Sequence, residues 1–585
     1  MVQHAHKILA LMQAGRLTEA EQAARMALAQ RPRDAELLTL QGLALLQMGR
    51  PESAQRPLNK ALKVHPGHVR AANAMGVALE RLRRPAEAAE FYRMALRSVP
   101  DAAEVWFNLG NACRHAKDDQ SALEAYGKAV ALAPHSFQFL HALVGIKHRL
   151  CDWNGLQQLS GRLTDALADT KEVIEPFRTL ALDTTEAVHQ AVARRWAARL
   201  GIPAPLASAP VAKERLVVGY LSADLHQHAT SHLMAEFFEL HDRSHFSINA
   251  YSTGPDDGTP MRRRLIAGFD AFVDCSRIDA ASIAQRIASD GVDILVDLKG
   301  YTRDAPSRVM TYRPAPVQVQ WIGYPGTMGA PFIDYVLGDT VVLPDSSQPF
   351  YDEAIVRLPH CYQPNDRKRV RPVTAPARAD LGLPSTGMVL ACFNQPYKLR
   401  PLEFDIWMSL LRQVDGAVLW LFSDSGAAEA NLHAEAAARG VDPARVLFAR
   451  HVGVEEHLAR YHHVDLFLDT LPYNAHTTAS DALWMGCPVV TMLGSTFAGR
   501  VGASLLSSVG LERLITHSPS EYEAVSLALL HNEEERTSIR RRLWDDALSL
   551  PLFDTPSMTR AVERAYEVMW GRAVAHLKPQ PFDVH

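Results

Sequence analysis

Up to Leu200 the apolar residues recur three and four positions apart, the period of amphipathic helices, and residues 141–150, 153–168 and 188–200 are the last of that series. Residues 201–210, Gly-Ile-Pro-Ala-Pro-Leu-Ala-Ser-Ala-Pro, break the rhythm and read as a linker. Beyond it the pattern changes to short apolar runs bounded by polar turns. Residues 216–221, 246–252, 269–275, 292–298, 317–322 and 333–337 read as buried strands with helices between them. A Pro- and Ala-rich stretch at 372–384 interrupts this alternation, which restarts at 388–393 and continues through 417–422, 445–449, 464–468 and 488–493. Strands alternating with helices imply a parallel sheet covered on both faces, here twice over. A final amphipathic helix at 559–570 could cross back onto the first of the two units.

The helical part is a repeat. Pro32, Pro66, Pro100 and Pro134 stand 34 residues apart. Ala27, Ala61, Ala95 and Ala129 keep the same step, as do Ala20, Ala54, Ala88 and Ala122, and Gly42, Gly76 and Gly110. Small residues in this register let paired helices approach closely, and the proline ends the second helix of each pair. With Trp106-Phe-Asn-Leu109-Gly110, the pattern resembles the tetratricopeptide repeat. At the next step Ala168 stands where proline would, and Val144 where glycine would, so residues 136–210 read as divergent helical pairs and a linker. A superhelix of this kind offers a concave face to peptide segments, which makes it a candidate docking surface for protein substrates.

Ligands of parallel sheets bind at the C-terminal ends of the strands, and that rule selects the candidate chemistry. The first strand is followed by Ser222-Ala-Asp-Leu-His226-Gln-His228-Ala-Thr-Ser-His232. Three histidines so close together suggest zinc, but neither a nearby cysteine nor a His-Glu-x-x-His spacing completes a ligand set. An acid, a base or a hydrogen-bond donor is the better reading. Gly323-Tyr-Pro325-Gly326-Thr-Met-Gly329 forms a glycine-lined loop after another strand, where backbone can approach a ligand closely. In the second unit the first strand runs into Phe393-Asn-Gln395-Pro-Tyr-Lys398, and residues 464–468 run through a turn into a helix starting at His476-Thr477-Thr478. Hydroxyls can cap such a start, and its unpartnered N–H groups attract phosphate. Asp481, one turn inside, can accept from a ribose hydroxyl, and His457 and Arg460 lie on the short helix just before Val464. A capped helix and a solvated lysine are the ordinary readings of these strings. Their convergence on one sheet edge favours a diphosphate clamp.

Composition narrows the partners. A chain of 585 residues exceeds one hydrophobic core and implies about three or four domains. The organisation read here is 1–135 repeats, 136–210 divergent helices and linker, 211–370 first and 371–555 second α/β domain, and 556–585 C-terminal helix. A formal net charge of -4 without a dense Lys/Arg run argues against nucleic acid or an anionic membrane as partner. Six scattered cysteines without a Cys-x-x-Cys pair fit a reducing compartment. With no secretory signal pattern and no apolar span, the expected location is the cytoplasm.

Two Rossmann-like halves facing across a crevice, the second with phosphate-binding groups, resemble the GT-B class of nucleotide-sugar glycosyltransferases. The repeats together with Cys151-Asp-Trp153, His228-Ala-Thr-Ser-His232, Arg313-Pro-Ala-Pro, Gly323-Tyr-Pro-Gly-Thr, Phe393-Asn-Gln-Pro-Tyr-Lys398 and His476-Thr-Thr closely resemble the protein O-GlcNAc transferase family, family 41 of the glycosyltransferases, over nearly the whole chain. The resemblance implies transfer of N-acetylglucosamine from UDP-GlcNAc to Ser/Thr hydroxyls of intracellular proteins. It implies His228 beside the reacting hydroxyl, Lys398 and Gln395 on the diphosphate and nucleotide, and His476, Thr477 and Thr478 on phosphate. Asp481 would take the ribose, His457 and Arg460 would lie near the uracil, and Gly323, Pro325 and Gly326 would line the nucleotide-sugar site. Val454 stands where animal members carry a lysine, and only a short segment joins the halves where those enzymes insert a long domain, so the resemblance is to a compact bacterial homologue.

Departure of the diphosphate needs positive charge, and no two aspartates are spaced as Asp-x-Asp to hold a metal. An inverting, metal-independent reaction without cofactor is therefore expected, with Lys398 and the helix start in the metal's place. His228 suits either a base or a positioning group. Related enzymes using GDP-fucose, or attaching hexose to Asn, and a catalytically weak scaffold are the alternatives, and a homodimer is left open.

Overall fold

The structure is a computed structural model that describes residues 2–169 and 171–585. It divides into two compact units, the first running through Leu159 and the second starting at Ser160.

The first unit is a series of helix pairs, Ala35–Gln47 with Pro51–Val64, Val69–Arg81 with Pro85–Ser98, and Ala103–His115 with Asp119–Leu132. Pro51 and Pro85 open their helices, where the missing N–H is no loss. The small residues of the repeat sit at the contacts: Ala20, Ala54, Ala88 and Ala122 are fully buried. A Cβ added at Gly76 would lie 2.5 Å from the Tyr92 ring, and one at Gly110 2.5 Å from Tyr126, so glycine is required for each pair to close. Every repeat also turns through one left-handed residue, in strict phase at Gly15, Gly49, Arg83, Lys117 and Cys151. The backbone thus keeps the period into Cys151, after the proline and glycine marks have faded. Helix Phe137–Arg149 packs on Asp119–Leu132 and buries Phe139, Leu140, Leu143 and Val144.

The second unit holds two parallel sheets. The first contains β1 (Leu216–Ser222), β2 (Phe246–Ser252), β3 (Ala271–Asp274), β4 (Ile294–Asp297), β5 (Val317–Gln320), β6 (Tyr335–Asp339) and β7 (Ala354–Leu358). The second contains β8 (Val389–Cys392), β9 (Val418–Phe422), β10 (Val446–Ala449), β11 (Leu466–Leu468), β12 (Val489–Met492) and β13 (Ile515–Thr516). A last strand, β14 (Phe582–Asp583), returns to the edge of the first sheet and pairs with β7. The orders are β14-β7-β6-β5-β4-β1-β2-β3 and β10-β9-β8-β11-β12-β13, both doubly wound. In each the order reverses beside its first strand, between β1 and β4 and between β8 and β11. Near-continuous burial of these strands explains their unbroken apolar runs. Helix Thr555–Val574 crosses back to the first sheet: the Tyr566 and Tyr220 hydroxyls are 3.1 Å apart, and Glu563 accepts from the Asp242 N–H at 2.7 Å.

The segment joining the sheets is strapped to both. Arg367 pairs with Glu236 at 2.8 Å and Lys368 with Glu239 at 2.6 Å on the first side. On the second, Arg371 donates to the Leu543 and Trp544 carbonyls and lies 3.9 Å from the Trp544 ring centroid. The halves also meet where Ser504 donates to Asp339 at 2.6 Å and where the Tyr362 and Phe497 rings pack edge to face.

Candidate active site

Both reversals in strand order carry polar side chains. At the first, the β1 end supplies Asp224 and His228, and the β4 end supplies Lys299. Lys299 Nζ lies 2.9 Å from each carboxylate oxygen of Asp224, and both side chains are buried. Asp297 at the β4 tip accepts from the Lys299 and Gly300 N–H groups, and burial raises its carboxyl to about 6.

His228 is the N-cap of helix Ala229–Leu240, with Nδ1 3.2 Å from the Thr230 N–H. An amide N–H can only donate, so Nδ1 is the acceptor and the ring proton of the neutral imidazole sits on Nε2. Asp224 Oδ2 lies 3.4 Å from the same Nδ1, with its charge offset by Lys299. Burial, aided by Lys299 and His226 against the opposing pull of Asp224, holds the imidazole below its ordinary pKa. Of the other two histidines, His226 lies 3.7 Å from Asp257, while His232 Nε2 is buried without a hydrogen-bond partner. Among the described residues no group of three or more His, Cys, Asp or Glu side chains is arranged to hold a metal ion.

At the second reversal a hydrogen-bonded chain ties the β8 and β11 ends together. Thr478 Oγ1 donates to Asn394 Oδ1 at 2.7 Å, Asn394 Nδ2 donates to Thr470 Oγ1 at 2.8 Å, and Thr470 Oγ1 donates to the Tyr473 carbonyl at 2.8 Å. Asp469 organises the turn, accepting from the Thr470 and Ala475 N–H groups and from Thr491 Oγ1. Helix Thr477–Trp484 starts here with His476 as N-cap. The hydroxyl cap expected from the sequence does not form, because Thr478 is turned to Asn394 and no side chain caps the helix. His476 Nε2 donates to the Ala498 carbonyl at 3.3 Å, and burial and Lys398 keep the ring well below its ordinary pKa.

Lys398 is not the solvated lysine its sequence position suggests. It is 8 % exposed, donates to the Asn474 carbonyl at 2.7 Å, and sits 3.6 Å from the Tyr473 ring centroid. Burial lowers its ammonium pKa and raises that of Asp469, each opposed by the other's charge. Gln395 is exposed beside it. Tyr473, whose ring faces Lys398, belongs to one apolar cluster with Tyr301 and Tyr324 of the first half. In the Gly323–Gly326 loop a Cβ on Gly323 would lie 2.3 Å from the Leu298 carbonyl oxygen, and Pro325 and Gly326 are buried. The glycine serves the chain's own close packing.

Two further candidates are also placed differently. Arg460 is 3 % exposed, with its guanidinium 5.6 Å and 5.7 Å from the Phe393 and Trp420 ring centroids, and it donates to the Arg450 carbonyl. It lies beneath the β8 end as a packed cation. Asp481 is engaged by protein before any ligand: Arg369 donates to Oδ1 at 2.6 Å, and His457 Nε2 is 3.6 Å from Oδ2. These partners hold the carboxyl below its ordinary pKa against the burial that would raise it. Thr477 is half-buried at the helix start. Asp224, Lys299, Asn394, Asp469 and Arg369 escaped the sequence reading, although the strand-end rule that selected Lys398 points equally to Lys299, two residues past β4.

Comparison with known proteins agrees with this architecture. The model of glycosyl transferase family 41 matches residues 200–375 and 366–562, and tetratricopeptide repeat models match 39–103 and 103–136. The chain is 35 % identical over 431 residues to the probable UDP-N-acetylglucosamine–peptide N-acetylglucosaminyltransferase SEC of Arabidopsis thaliana, covering 70 % of this chain and 44 % of that protein. It is 27 % identical over 553 residues to the UDP-N-acetylglucosamine–peptide N-acetylglucosaminyltransferase of Caenorhabditis elegans, covering 72 % and 48 %. The chain thus spans about half the length of the curated relatives it matches. A solved structure, a mutant of the Thermobaculum terrenum O-GlcNAc transferase, aligns with TM-score 0.67 and 26 % identity over 93 % of this chain and 98 % of that one. No helix among the described residues is long and apolar enough to cross a membrane.

Proposed function

The chain belongs to glycosyl transferase family 41, and from that premise we propose that it transfers N-acetylglucosamine from UDP-N-acetylglucosamine to Ser/Thr hydroxyls of cytoplasmic proteins, with inversion and without a metal. The observation that carries the reading is the meeting, at one strand-order reversal, of Lys398 with the uncapped start of helix Thr477–Trp484. Negative charge builds on the UDP leaving group as the anomeric C–O bond breaks, and that charge must be stabilised. An ammonium in a largely water-free setting and a set of helix N–H groups answer that demand, and the departing UDP takes the bonding electron pair. The acceptor oxygen attacks from the opposite face to form the new C–O bond, and its proton passes to water as UDP leaves. His228 carries its proton on Nε2, so in this tautomer it orients a substrate oxygen by donating to it rather than by removing a proton. Gln395, exposed at the mouth, and His457 beside Asp481 would contact the nucleotide. Protein acceptors would dock along the concave face of the repeats.

The test is direct. Purified protein incubated with UDP-N-acetylglucosamine and an acceptor protein should leave an N-acetylhexosamine mass on Ser or Thr, read by mass spectrometry, and UDP should raise Tm more than GDP at equal concentration. Transfer from a GDP-sugar, or stabilisation by GDP over UDP, would overturn the donor assignment.

A further inference from the structure

Arg369 is an unusual side chain to find where it is. It belongs to the segment joining the two sheets, its side chain is 4 % exposed, and only Nη1 is spent on a hydrogen bond, the 2.6 Å contact to Asp481. Its Nε and Nη2 are buried without a hydrogen-bond partner. The guanidinium faces the Trp484 ring at 5.6 Å. Unmatched buried donors are costly, and a buried ion pair of this kind is commonly no more stabilising than an apolar replacement. Folding alone is therefore a weak reason for an arginine here. What the arginine does accomplish is to fix a carboxylate. Asp481 lies within helix Thr477–Trp484, close to its start, with Oδ1 accepting from Arg369. Oδ2 is left 3.6 Å from His457, beyond hydrogen-bond length, so it keeps acceptor capacity. The fixing group is itself held from both sides, since Arg367 and Lys368 are pinned to Glu236 and Glu239 and Arg371 to the Leu543 and Trp544 carbonyls.

We propose that Arg369 is a positioning residue of the nucleotide subsite: from the connection between the halves it holds the Asp481 carboxylate in the one orientation that accepts from the ribose hydroxyls of a uridine nucleotide. This rests on the reading of the second sheet as the UDP site. It makes ribose recognition depend on the joining segment as well as on the second sheet. His232, across the crevice on helix Ala229–Leu240, feels both the Arg369 and the Asp481 charge, which puts the cluster at the boundary of the two halves.

The experiment is calorimetric titration of the full-length protein with UDP and with 2′,3′-dideoxy-UDP, comparing the parent, Arg369→Met and Arg369→Lys. The parent should prefer UDP by about tenfold, the worth of a hydrogen bond to a charged acceptor. In Arg369→Met that preference should fall to less than twofold while dideoxy-UDP binds as in the parent, and Arg369→Lys should recover part of it. A merely structural arginine would weaken both ligands alike, so an unchanged preference in Arg369→Met overturns the inference. If the parent itself does not distinguish the two nucleotides, the ribose assignment of Asp481 falls with it. Thermal melts establish that the variants fold. Should Arg369→Met not fold, Arg369→Lys decides, with a loss of preference of at least threefold supporting the proposal and no loss overturning it.

Discussion

At the scale of single residues, burial changes what each candidate can do. Lys398 is packed against Tyr473 and bonded to Asn474, so removing it has a structural consequence that a surface lysine would not have. Lys398→Met should lower kcat more than tenfold and also lower stability by about 1–3 kcal/mol, because the Asn474 carbonyl loses its donor and the Asp469 charge its counter-charge. Melting and turnover on the same preparation check both parts, and full activity would remove Lys398 from the reaction. For His228 the sign of the pH effect follows from its surroundings. Its pKa is depressed, so it is neutral at pH 7 and stays neutral somewhat below 6.5. The ratio kcat/KM should hold level on acidification past 6.5 and fall only as the ring protonates on Nδ1, which breaks the bond from the Thr230 N–H and frees the ring from its orientation. Lys299→Met leaves Asp224 facing the imidazole without its counter-charge, which favours the imidazolium. The acid limb should then move to higher pH, and a pH profile with an unmoved limb would show that Lys299 does not act through Asp224.

At the scale of elements, the repeat carries a strain that its sequence hides. Arg83 and Lys117 occupy the left-handed turn where the first two repeats have glycine, and Arg83 is exposed. A non-glycine residue there costs on the order of 1 kcal/mol. Arg83→Gly should therefore raise the stability of the first unit by about 0.5–1 kcal/mol in urea melts, offset only by glycine's greater freedom when unfolded. The start of helix Thr477–Trp484 bears on the metal question. Lys398 and the helix N–H groups supply positive potential from the protein itself, so transfer should survive excess EDTA within about twofold, whereas a metal Lewis acid contributes several kcal/mol and its loss costs orders of magnitude. A large loss restored by Mg²⁺ or Mn²⁺ would overturn that assignment. The strands bordering these elements were legible because parallel strands buried on both faces leave unbroken apolar runs. β7 was not, since Arg357 interrupts its run while its guanidinium bonds the Leu343 carbonyl, and two-residue strands such as β13 and β14 leave no period to read. Nothing in a local pattern reveals that Phe393 and Trp420, distant in sequence, flank the Arg460 guanidinium.

At the scale of the molecule, chemistry and docking are assigned to different units, and the boundary between them matters for separating the two. The sequence marks of the repeat end near residue 135, but helix Phe137–Arg149 buries Phe139, Leu140 and Leu143 on the helix before it, and the left-handed turn at Cys151 is still in phase. The period was legible where proline and glycine carried it and illegible where backbone alone did. A truncation at 134 would strip that helix of its partner and expose its apolar face, which confuses loss of docking with loss of solubility. Removing residues 1–155 instead cuts the chain between helices Phe137–Arg149 and Leu156–Asp169. Both sheets, the joining segment and the returning helix Thr555–Val574 remain. The shortened protein should hydrolyse UDP-N-acetylglucosamine, or glycosylate short peptides, within a few-fold of the parent, while transfer to folded protein acceptors falls more than tenfold. Rates measured side by side on a peptide and on a protein acceptor decide the matter. An equal fall in both would make the repeats a support for the catalytic unit, and an equal retention would place acceptor recognition entirely within the two sheets.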